Sequence, residues 1–165
     1  MKEIKITQGK IAFVDDENFK HLNKFKWHVL RSGSNFYAVR SIRLANGKQN
    51  KIFMHREILD IPKGLETDHI NHNGLDNRKS NLRACTVSEN QMNSNSQKNS
   101  SSRFKGVTWH KYARRWQAQI RHNGRTIYLR LFLSEIDAAL AYNRKATEMF
   151  GKFANPNNVN IQENN

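Results

Sequence analysis

The sequence is poor in cysteine and in acidic residues, and it contains no long hydrophobic run. Its single cysteine, Cys85, excludes an intrachain disulfide and any zinc site built from several cysteines. No apolar segment approaches the length of a membrane span, and residues 1–10 lack the apolar core of a signal peptide. These absences predict a cytoplasmic protein with no membrane contact, working in reducing surroundings.

Positive charge is abundant. The 165 residues carry 28 lysines and arginines against 14 acidic residues, a net charge of +14. Because neutralising each phosphate of a nucleic acid releases a counterion, a chain this basic is expected to bind a polyanion. Nucleic acid is the leading partner, and an anionic membrane surface is the weaker one. A chain with 37% hydrophobic residues supports only modest cores, which favours two small domains.

One polar stretch divides the chain. Residues 93–102 read NSNSQKNSSS and contain no apolar side chain, which predicts a flexible linker. We therefore expect an N-terminal module at residues 1–92, a C-terminal module at residues 103–157 and a tail at residues 158–165. The chain shows no heptad pattern that would demand a dimer, so a monomer or weak oligomer is expected.

Strand-like runs and turn signals predict an α+β fold. In the N-terminal module, residues 36–44 and 51–59 flank the pair Asn46-Gly47, which is a strong hairpin signal because both turn positions favour positive φ. Residues 15–25 place Phe19, Leu22 and Phe25 on roughly one helical face, which predicts a short helix.

The C-terminal module repeats the hairpin signal at Asn123-Gly124 and then becomes helical. Ser134 is a natural N-cap and Gly151 a natural C-cap. Helical spacing predicts a buried face formed by Ile136, Ala139, Leu140, Asn143 and Ala146 or Thr147. A three-stranded antiparallel sheet packed on one helix is the expected architecture.

Residues 65–93 are unusually rich in Asp, His and Asn. Asp68-His69 stands where a strand would enter a turn, and a helix capped by Ser88 is expected further on. An imidazole beside a carboxylate can act as a general base on water near neutral pH. Carboxylate and amide oxygens are hard ligands that suit a magnesium-like ion. Together with the charge, this indicates metal-assisted hydrolysis of a nucleic-acid phosphodiester.

The same residues carry a family resemblance. Asp68-His69, Asn81 in KSNLR and Asn90 in SENQMN fall in the order and approximate spacing of the HNH endonucleases, and the segment resembles small phage or intron-associated nicking and homing enzymes. The resemblance implies a ββα-metal motif at about residues 52–93. It also implies that MHREIL, which contains His55, belongs to a strand preceding the motif. A bacterial host cell would be the setting, with the gene carried by the host or by a phage.

The resemblance implies roles for each matched residue. His69 would activate the attacking water, and Asn81 would hold the His69 ring through its side-chain oxygen. Asp68 and Asn90 would bind one divalent ion, Mg²⁺ in the first place and Mn²⁺ as an alternative, against the scissile phosphate of double-stranded DNA.

Residues 103–157 resemble the Apetala/ethylene-response-factor type of DNA-binding domain through KGV, RWQAQI, IYL, AALAYNRKA and FGKFANPN. The resemblance implies a sheet that lies in the DNA major groove. Independently, residues 103–133 contain eight Lys or Arg and no acidic residue. Alternation places Trp116, Ala118 and Ile120 on one face of a strand. The predicted DNA-binding residues are Lys105, Thr108, His110, Lys111, Arg114, Arg115, Gln117, Gln119, Arg121, Arg125, Tyr128 and Arg130.

Alternatives stay open at several positions. His69 could be a structural histidine, and Asn93 is a rival to Asn90 as a metal ligand. His72 is interpreted as a loop residue and His55 as a packing residue. Two other functions are compatible with the charge. One is a non-catalytic DNA-binding regulator that retains an inactive nuclease module, and the other is a basic RNA-binding protein.

Overall fold

The computed structural model describes residues 1–94 and 100–159, which divide into two compact units, Met1–Val87 and Ser88–Asn165. Residues 95–99 of the predicted linker and residues 160–165 of the predicted tail lie outside the described residues. All named strands pair in antiparallel fashion within small sheets, which agrees with the expected α+β class. Within the described ranges, no helix is long and apolar enough to cross a membrane.

The first unit is built from short strands with two helices between them. Its elements are β1 (Lys2–Lys5), β2 (Ile11–Val14), α1 (Asp16–Leu22), β3 (His28–Ser32), β4 (Asn35–Arg43), β5 (Gln49–Phe53), α2 (Met54–Ile58), β6 (Glu66–His69) and β7 (Leu82–Cys85). Strands β1 and β2 form one hairpin, β3, β4 and β5 form a three-stranded sheet, and β6 and β7 form a second hairpin. The predicted short helix is thus confirmed as α1.

The core of the first unit joins these elements. Val14 of β2, Leu22 of α1, Ala38 of β4 and Met54 of α2 are all at most 1% exposed and belong to one apolar cluster. Trp27 packs in the same cluster and donates its Nε1–H to the carbonyl of Leu22 at 2.8 Å, which satisfies its buried polar atom. The cluster fastens α1 and α2 to the sheets on which the site is built.

The hairpin predicted at Asn46-Gly47 is confirmed as the β4–β5 connection, but its turn is longer than two residues. Leu44 N donates to Lys48 O at 2.8 Å, and Gly47 alone of the pair has positive φ, at 77°. The strand predicted to continue to residue 59 ends at Phe53. His55 therefore lies on α2 and not on a strand, because the chain turns there to bury Met54 in the core.

The second unit contains most of α3 (Val87–Met92) and a three-stranded sheet with one helix. The remaining elements are β8 (Val107–His110), β9 (Arg115–His122), β10 (Arg125–Phe132) and α4 (Glu135–Phe150). Strand β9 is central. The turn between β9 and β10 is the predicted two-residue type, since Asn123 and Gly124 have φ of 49° and 76°.

Helix α4 packs on the sheet through small side chains. Ser134 caps it as predicted, because its Oγ accepts hydrogen bonds from Ile136 N and Asp137 N, and Gly151 ends it with a φ of 49°. The predicted buried face is partly wrong. The buried positions are Ala138, Ala139, Tyr142, Ala146 and Phe150, whereas Ile136 and Thr147 are exposed. The buried residues Ala138, Tyr142, Ala146 and Phe150 follow i, i+4 spacing, so the face that packs on the sheet differs from the predicted face that includes Ile136.

Three serines assigned to the linker make contacts with the second unit. Ser100 Oγ donates to Val107 O at 3.3 Å, Ser101 Oγ accepts from Trp109 N at 2.7 Å, and Ser102 is 5% exposed. The Ser102 hydroxyl donates to Glu135 at 2.6 Å. Serine side chains satisfy polar groups near strand and helix ends here.

Candidate active site

The β6–β7 hairpin carries the two central residues of the predicted site. Asp68 and His69 end β6 and are 4% and 6% exposed. Asp68 lies directly opposite Arg83 of β7, and the two side chains form an ion pair through Asp68 Oδ2, with N···O distances of 2.7 Å from Nε and 2.6 Å from Nη2. The pairing compensates a buried carboxylate that would otherwise be costly to desolvate.

The loop that follows His69 is held by its own asparagine side chains. Asn71 Oδ1 accepts from Asn73 N, and Asn73 Oδ1 accepts from Leu75 N. The Asn71 amide nitrogen donates to Asp76 Oδ2 at 2.8 Å, and Asp76 is paired with Arg78 at 2.6 Å. These bonds to nearby backbone are typical of asparagine in turns, and they explain the density of asparagine in this segment.

The same loop is docked on the strands of the first unit. Phe13 of β2 donates its N–H to Leu75 O and accepts from Asn77 N, both at 2.8 Å, in a parallel bridge. Asn35 of β4 donates to His72 O at 2.8 Å and accepts from Gly74 N at 3.2 Å. The loop therefore has a defined position relative to β2 and β4, and so has the histidine at its start.

Gly74 is required where this loop meets β4. A Cβ at this position would lie 2.5 Å from the carbonyl oxygen of Phe36 and 2.7 Å from the ring of Tyr37. Any larger residue would displace the Tyr37 ring or the strand.

One edge of the His69 ring faces an amide oxygen. His69 Nε2 lies 3.3 Å from Asn77 Oδ1, and Asn77 is fully buried. The orientation of the Asn77 amide is set by its nitrogen, which donates to Leu75 O at 3.2 Å. Because an amide oxygen only accepts hydrogen bonds, His69 Nε2 carries the proton in this arrangement, and the neutral ring has an unprotonated Nδ1.

The His69 ring also contacts aromatic side chains. His55 of α2 lies 5.1 Å from His69 between ring centroids at an interplanar angle of 85°, and Tyr37 of β4 lies 5.9 Å away. Tyr37 and Phe53 also contact the His55 ring, at 5.9 and 5.2 Å. The cluster brings together β4, β5, α2 and β6 around one imidazole.

Burial keeps both imidazoles neutral. The pKa of His69 is lowered by burial, an effect opposed by the hydrogen bond with Asn77 and by the charges of Asp68 and Asp76. Burial lowers the pKa of His55 to about 3, with smaller contributions from His69 and Arg56. A neutral His69 can accept a proton at physiological pH, which is the state that a general base requires.

Some of the predicted site residues make the contacts that were expected of them, and others do not. Asp68 and His69 are adjacent on β6, as expected, but Asn81 does not hold the His69 ring. The Asn81 side-chain oxygen accepts from Asn71 N at 2.9 Å, and its nitrogen donates to Asp76 O at 2.8 Å. Asn81 lies just before β7, and these two backbone groups of the loop occupy both ends of its side-chain amide. Asn81 therefore closes the loop, and Asn77 is the partner of His69.

The other predicted ligands lie in the second unit. Asn90 is on α3, and Asn93 follows that helix and is 4% exposed. Ser88 lies inside α3 and does not cap it, since the helix begins at Val87. His72 is in the loop, as interpreted, with a φ of 62°.

Sequence reasoning missed three residues that contact the pair Asp68-His69. They are Asn77 of the loop, Arg83 of β7 and Tyr37 of β4. The register of β6 against β7 could have indicated Arg83 once β7 was recognised as a strand. The contacts of Asn77 and Tyr37 with His69 depend on the tertiary fold, so no local sequence pattern predicts them.

The donor chemistry near His69 fits a hard divalent ion only in part. Asp68 supplies carboxylate oxygens, the ligand type that Mg²⁺ prefers. Among the described residues, no group of three or more His, Cys, Asp or Glu side chains is placed to hold a metal. An ion here would need oxygens from amides, water and substrate phosphate in addition to Asp68, as is common for Mg²⁺.

The three-stranded sheet of the second unit has one face away from α4. By the strand register, this outer face carries most of the predicted DNA-binding side chains, namely Thr108, His110, Arg115, Gln117, Gln119, Arg121 and Tyr128. Lys111 and Arg114 lie in the β8–β9 connection, Arg125 begins β10, and Arg130 follows an irregularity in that strand.

Lys105 is placed differently. It precedes β8, its Nζ donates to the carbonyl of Met92 at 2.5 Å, and burial lowers its pKa to about 8. Ala118 and Ile120 face α4 and are buried, as the alternation predicts, and Trp116 packs at the edge of that core.

Comparison with known proteins identifies one family model and two relatives. A family model described as HNH endonuclease matches residues 60–92, which include β6, the site loop and β7. An HNH endonuclease of Acanthamoeba polyphaga mimivirus is 35% identical over 157 residues, covering 93% of this chain and 78% of that protein. Protein 3.8 of Escherichia phage T7 is 34% identical over 95 residues, covering 57% of this chain and 77% of that protein. No solved structure matches.

Proposed function

Because the chain belongs to the HNH endonuclease family and is therefore a nuclease, we propose that it nicks double-stranded DNA with a water molecule activated by His69. The observation that carries this proposal is the setting of the His69 ring, which is buried, neutral and bonded through Nε2 to the Asn77 amide oxygen. In this tautomer the second ring nitrogen carries no proton and can act as a base.

The proposed chemistry follows from that tautomer. Nδ1 of His69 takes a proton from water, the hydroxide attacks the phosphorus atom of a DNA phosphodiester, and the bond between phosphorus and the 3′ oxygen breaks so that the 3′ oxygen departs. The ring then carries a proton on both nitrogens, and Nε2 keeps its bond to Asn77 throughout. Asn77 thereby holds the ring in the orientation and tautomer that place Nδ1 toward the substrate.

HNH nucleases generally use a divalent metal ion, and here we propose Mg²⁺, with Mn²⁺ as a substitute. Asp68 and Asn90 would hold it, since both offer hard oxygen donors. When bound, the ion neutralises charge that develops on the phosphate and on the departing 3′ oxygen. Arg83 keeps the Asp68 side chain in a fixed place at the end of β6 through the bonds described above.

The second unit is proposed to hold the duplex as a domain of the Apetala/ethylene-response-factor type. Supporting this, Arg115 and Arg121 lie on the outer face of the sheet beside Gln117 and Gln119, which combines phosphate-binding and base-reading side chains. A weak catalytic module gains from such a domain because tethering raises the local concentration of DNA. One Asp68-His69 pair per chain supports a nick in a single strand, as in nicking and homing enzymes.

A plasmid assay tests the proposal. Supercoiled plasmid is incubated with the full chain, with and without Mg²⁺ or Mn²⁺, and with a His69→Ala variant alongside. A His28→Ala variant is the matched control, because His28 is a histidine of the same unit that bonds to Ser41 on the sheet. Relaxed circles are expected only with metal and only when His69 is present, and the His28→Ala variant should nick like the wild type.

Two outcomes would contradict the proposal. Nicking by His69→Ala at a rate close to that of the wild type would remove His69 as the base. Plasmid that is retarded in the gel but never cut, under every metal condition, would favour the alternative of a DNA-binding regulator with an inactive nuclease module.

A further inference from the structure

His55 is a buried titratable residue for which the proposed chemistry has no use. It is 7% exposed, and its Nδ1 is buried without a hydrogen-bond partner among the described residues. Its ring instead makes three aromatic contacts, with Tyr37, Phe53 and His69. A nitrogen buried in this way costs free energy that a carbon ring of the same shape would avoid. The ring contacts are what His55 contributes to the site.

The His69 ring needs a second restraint. The torsion that rotates an imidazole about its Cβ–Cγ bond has broad minima, so the side chain alone does not define the ring plane. Its hydrogen bond to Asn77 is 3.3 Å long, against a usual N–H···O distance of about 2.9 Å. A base that moves by about 1 Å can lose about a hundredfold in rate. The near-perpendicular contact with His55, at 85°, supplies a restraint on the ring plane that the hydrogen bond does not.

The position of His55 suits this purpose. It is fixed by α2, whose first residue, Met54, is fully buried in the core of the first unit. Tyr37 of β4 contacts both imidazoles, with 5.9 Å between ring centroids in each case. The His69 ring is thus contacted at Nε2 by the Asn77 amide and elsewhere by two rings anchored on different elements.

We propose that His55 is a positioning residue for His69 and acts through its ring and not through its nitrogens. The proposal rests on the proposed function of His69 as the base, and it adds a residue that the family motif Asp68, His69, Asn81 and Asn90 does not contain. A neutral ring is required, because a positive charge on His55 would oppose the imidazolium that forms on His69.

Two substitutions of His55 distinguish the contribution of its aromatic ring from that of its nitrogens. His55→Phe keeps an aromatic ring and removes both nitrogens, whereas His55→Leu fills similar apolar space without a ring. Single-turnover nicking of supercoiled plasmid at saturating protein and Mg²⁺ is the activity readout, and gel retardation and melting temperature are measured in parallel. We expect His55→Phe to retain the rate within about threefold and His55→Leu to lose at least about tenfold, with equal DNA retention and similar melting temperatures.

A second measurement does not depend on nuclease activity. Nitrogen chemical shifts of the His69 imidazole in the full-length chain report its tautomer and its mobility. We expect a single Nε2–H tautomer in the wild type and in His55→Phe, and averaged signals in His55→Leu. If the wild type fails to nick, the proposed function fails, and these shifts still decide whether His55 positions the ring.

Either of two results would overturn the proposal. A folded His55→Phe variant that is as slow as His55→Leu would show that a nitrogen of His55 is needed. A His55→Leu variant that nicks at the wild-type rate and keeps a single His69 tautomer would show that the ring is not needed.

Discussion

Acidification of the protein tests the burial of His55 directly. The pKa of this imidazole is lowered to about 3 in the folded chain, mainly by burial, from an ordinary value of 6.5. Between these two values the unfolded chain binds more protons than the folded chain, so the free energy of unfolding falls as the pH falls. The stabilisation is fully present above pH 6.5 and is lost progressively toward pH 3.

The size of the effect follows from the two pKa values. Below the unfolded pKa the loss approaches about 1.4 kcal/mol per pH unit. Between about pH 8 and pH 5, protonation of His55 in the unfolded chain lowers the free energy of unfolding by about 2 kcal/mol. For a domain of this size, that is a large share of the total stability.

Urea denaturation followed by circular dichroism, at several pH values from about 8 to 4, measures this loss. The comparison is between the wild type and His55→Phe, because the remaining titrating groups and the whole second unit are common to both. The wild type should lose about 2 kcal/mol more than the variant between about pH 8 and pH 5. Parallel pH dependence of the two proteins would refute a neutral, buried His55.

Three other substitutions test the contacts described above. Gly74→Ala should destabilise the first unit by about 1–3 kcal/mol, since its Cβ would meet the ring of Tyr37 at 2.7 Å, and an unchanged melting temperature would contradict that close approach. Asn81→Ala should cost about 1–3 kcal/mol by leaving two backbone groups of the loop unbonded, and unaltered amide exchange in the loop would exclude this role. Replacing Arg121 and Arg125 by glutamine should lower the slope of DNA affinity against salt by about 1 for each phosphate that is no longer neutralised, and an unchanged slope would place these side chains off the DNA.

The sequence was informative where a structure depends on neighbours in the chain. The turn at Asn123-Gly124 requires two residues of positive φ, and the Ser134 cap requires a side chain next to the helix end, so both could be predicted from a few letters. The end of β5 at Phe53 could not be predicted from the sequence, because apolar residues continue along the chain beyond it. Burial of Met54 in the core of the first unit decides in favour of the helix there.

In the candidate site, too, the features that depend on neighbours in the chain could be predicted and those that depend on the tertiary fold could not. Asp68 and His69 are adjacent in sequence, and their chemistry is recognisable from the pair alone. Asn77 and Asn81 are both asparagines in one loop, and sequence order does not say which of them reaches the imidazole. That choice depends on where the loop docks, through Phe13, and on the amide nitrogen of Asn77, which bonds Leu75.

The ion pair of Asp68 with Arg83 links the stability of the hairpin to its chemistry. A carboxylate that is 4% exposed needs a compensating charge, and the residue directly opposite on β7 supplies it in strand register. Removing one partner of such a pair typically costs about 3–5 kcal/mol, because the other charge is left buried. A strand slip by one residue would turn Arg83 to the opposite face, away from the Asp68 carboxylate. The pair therefore favours the one register of β6 against β7 that places His69 at the end of its strand, next to the loop that holds it.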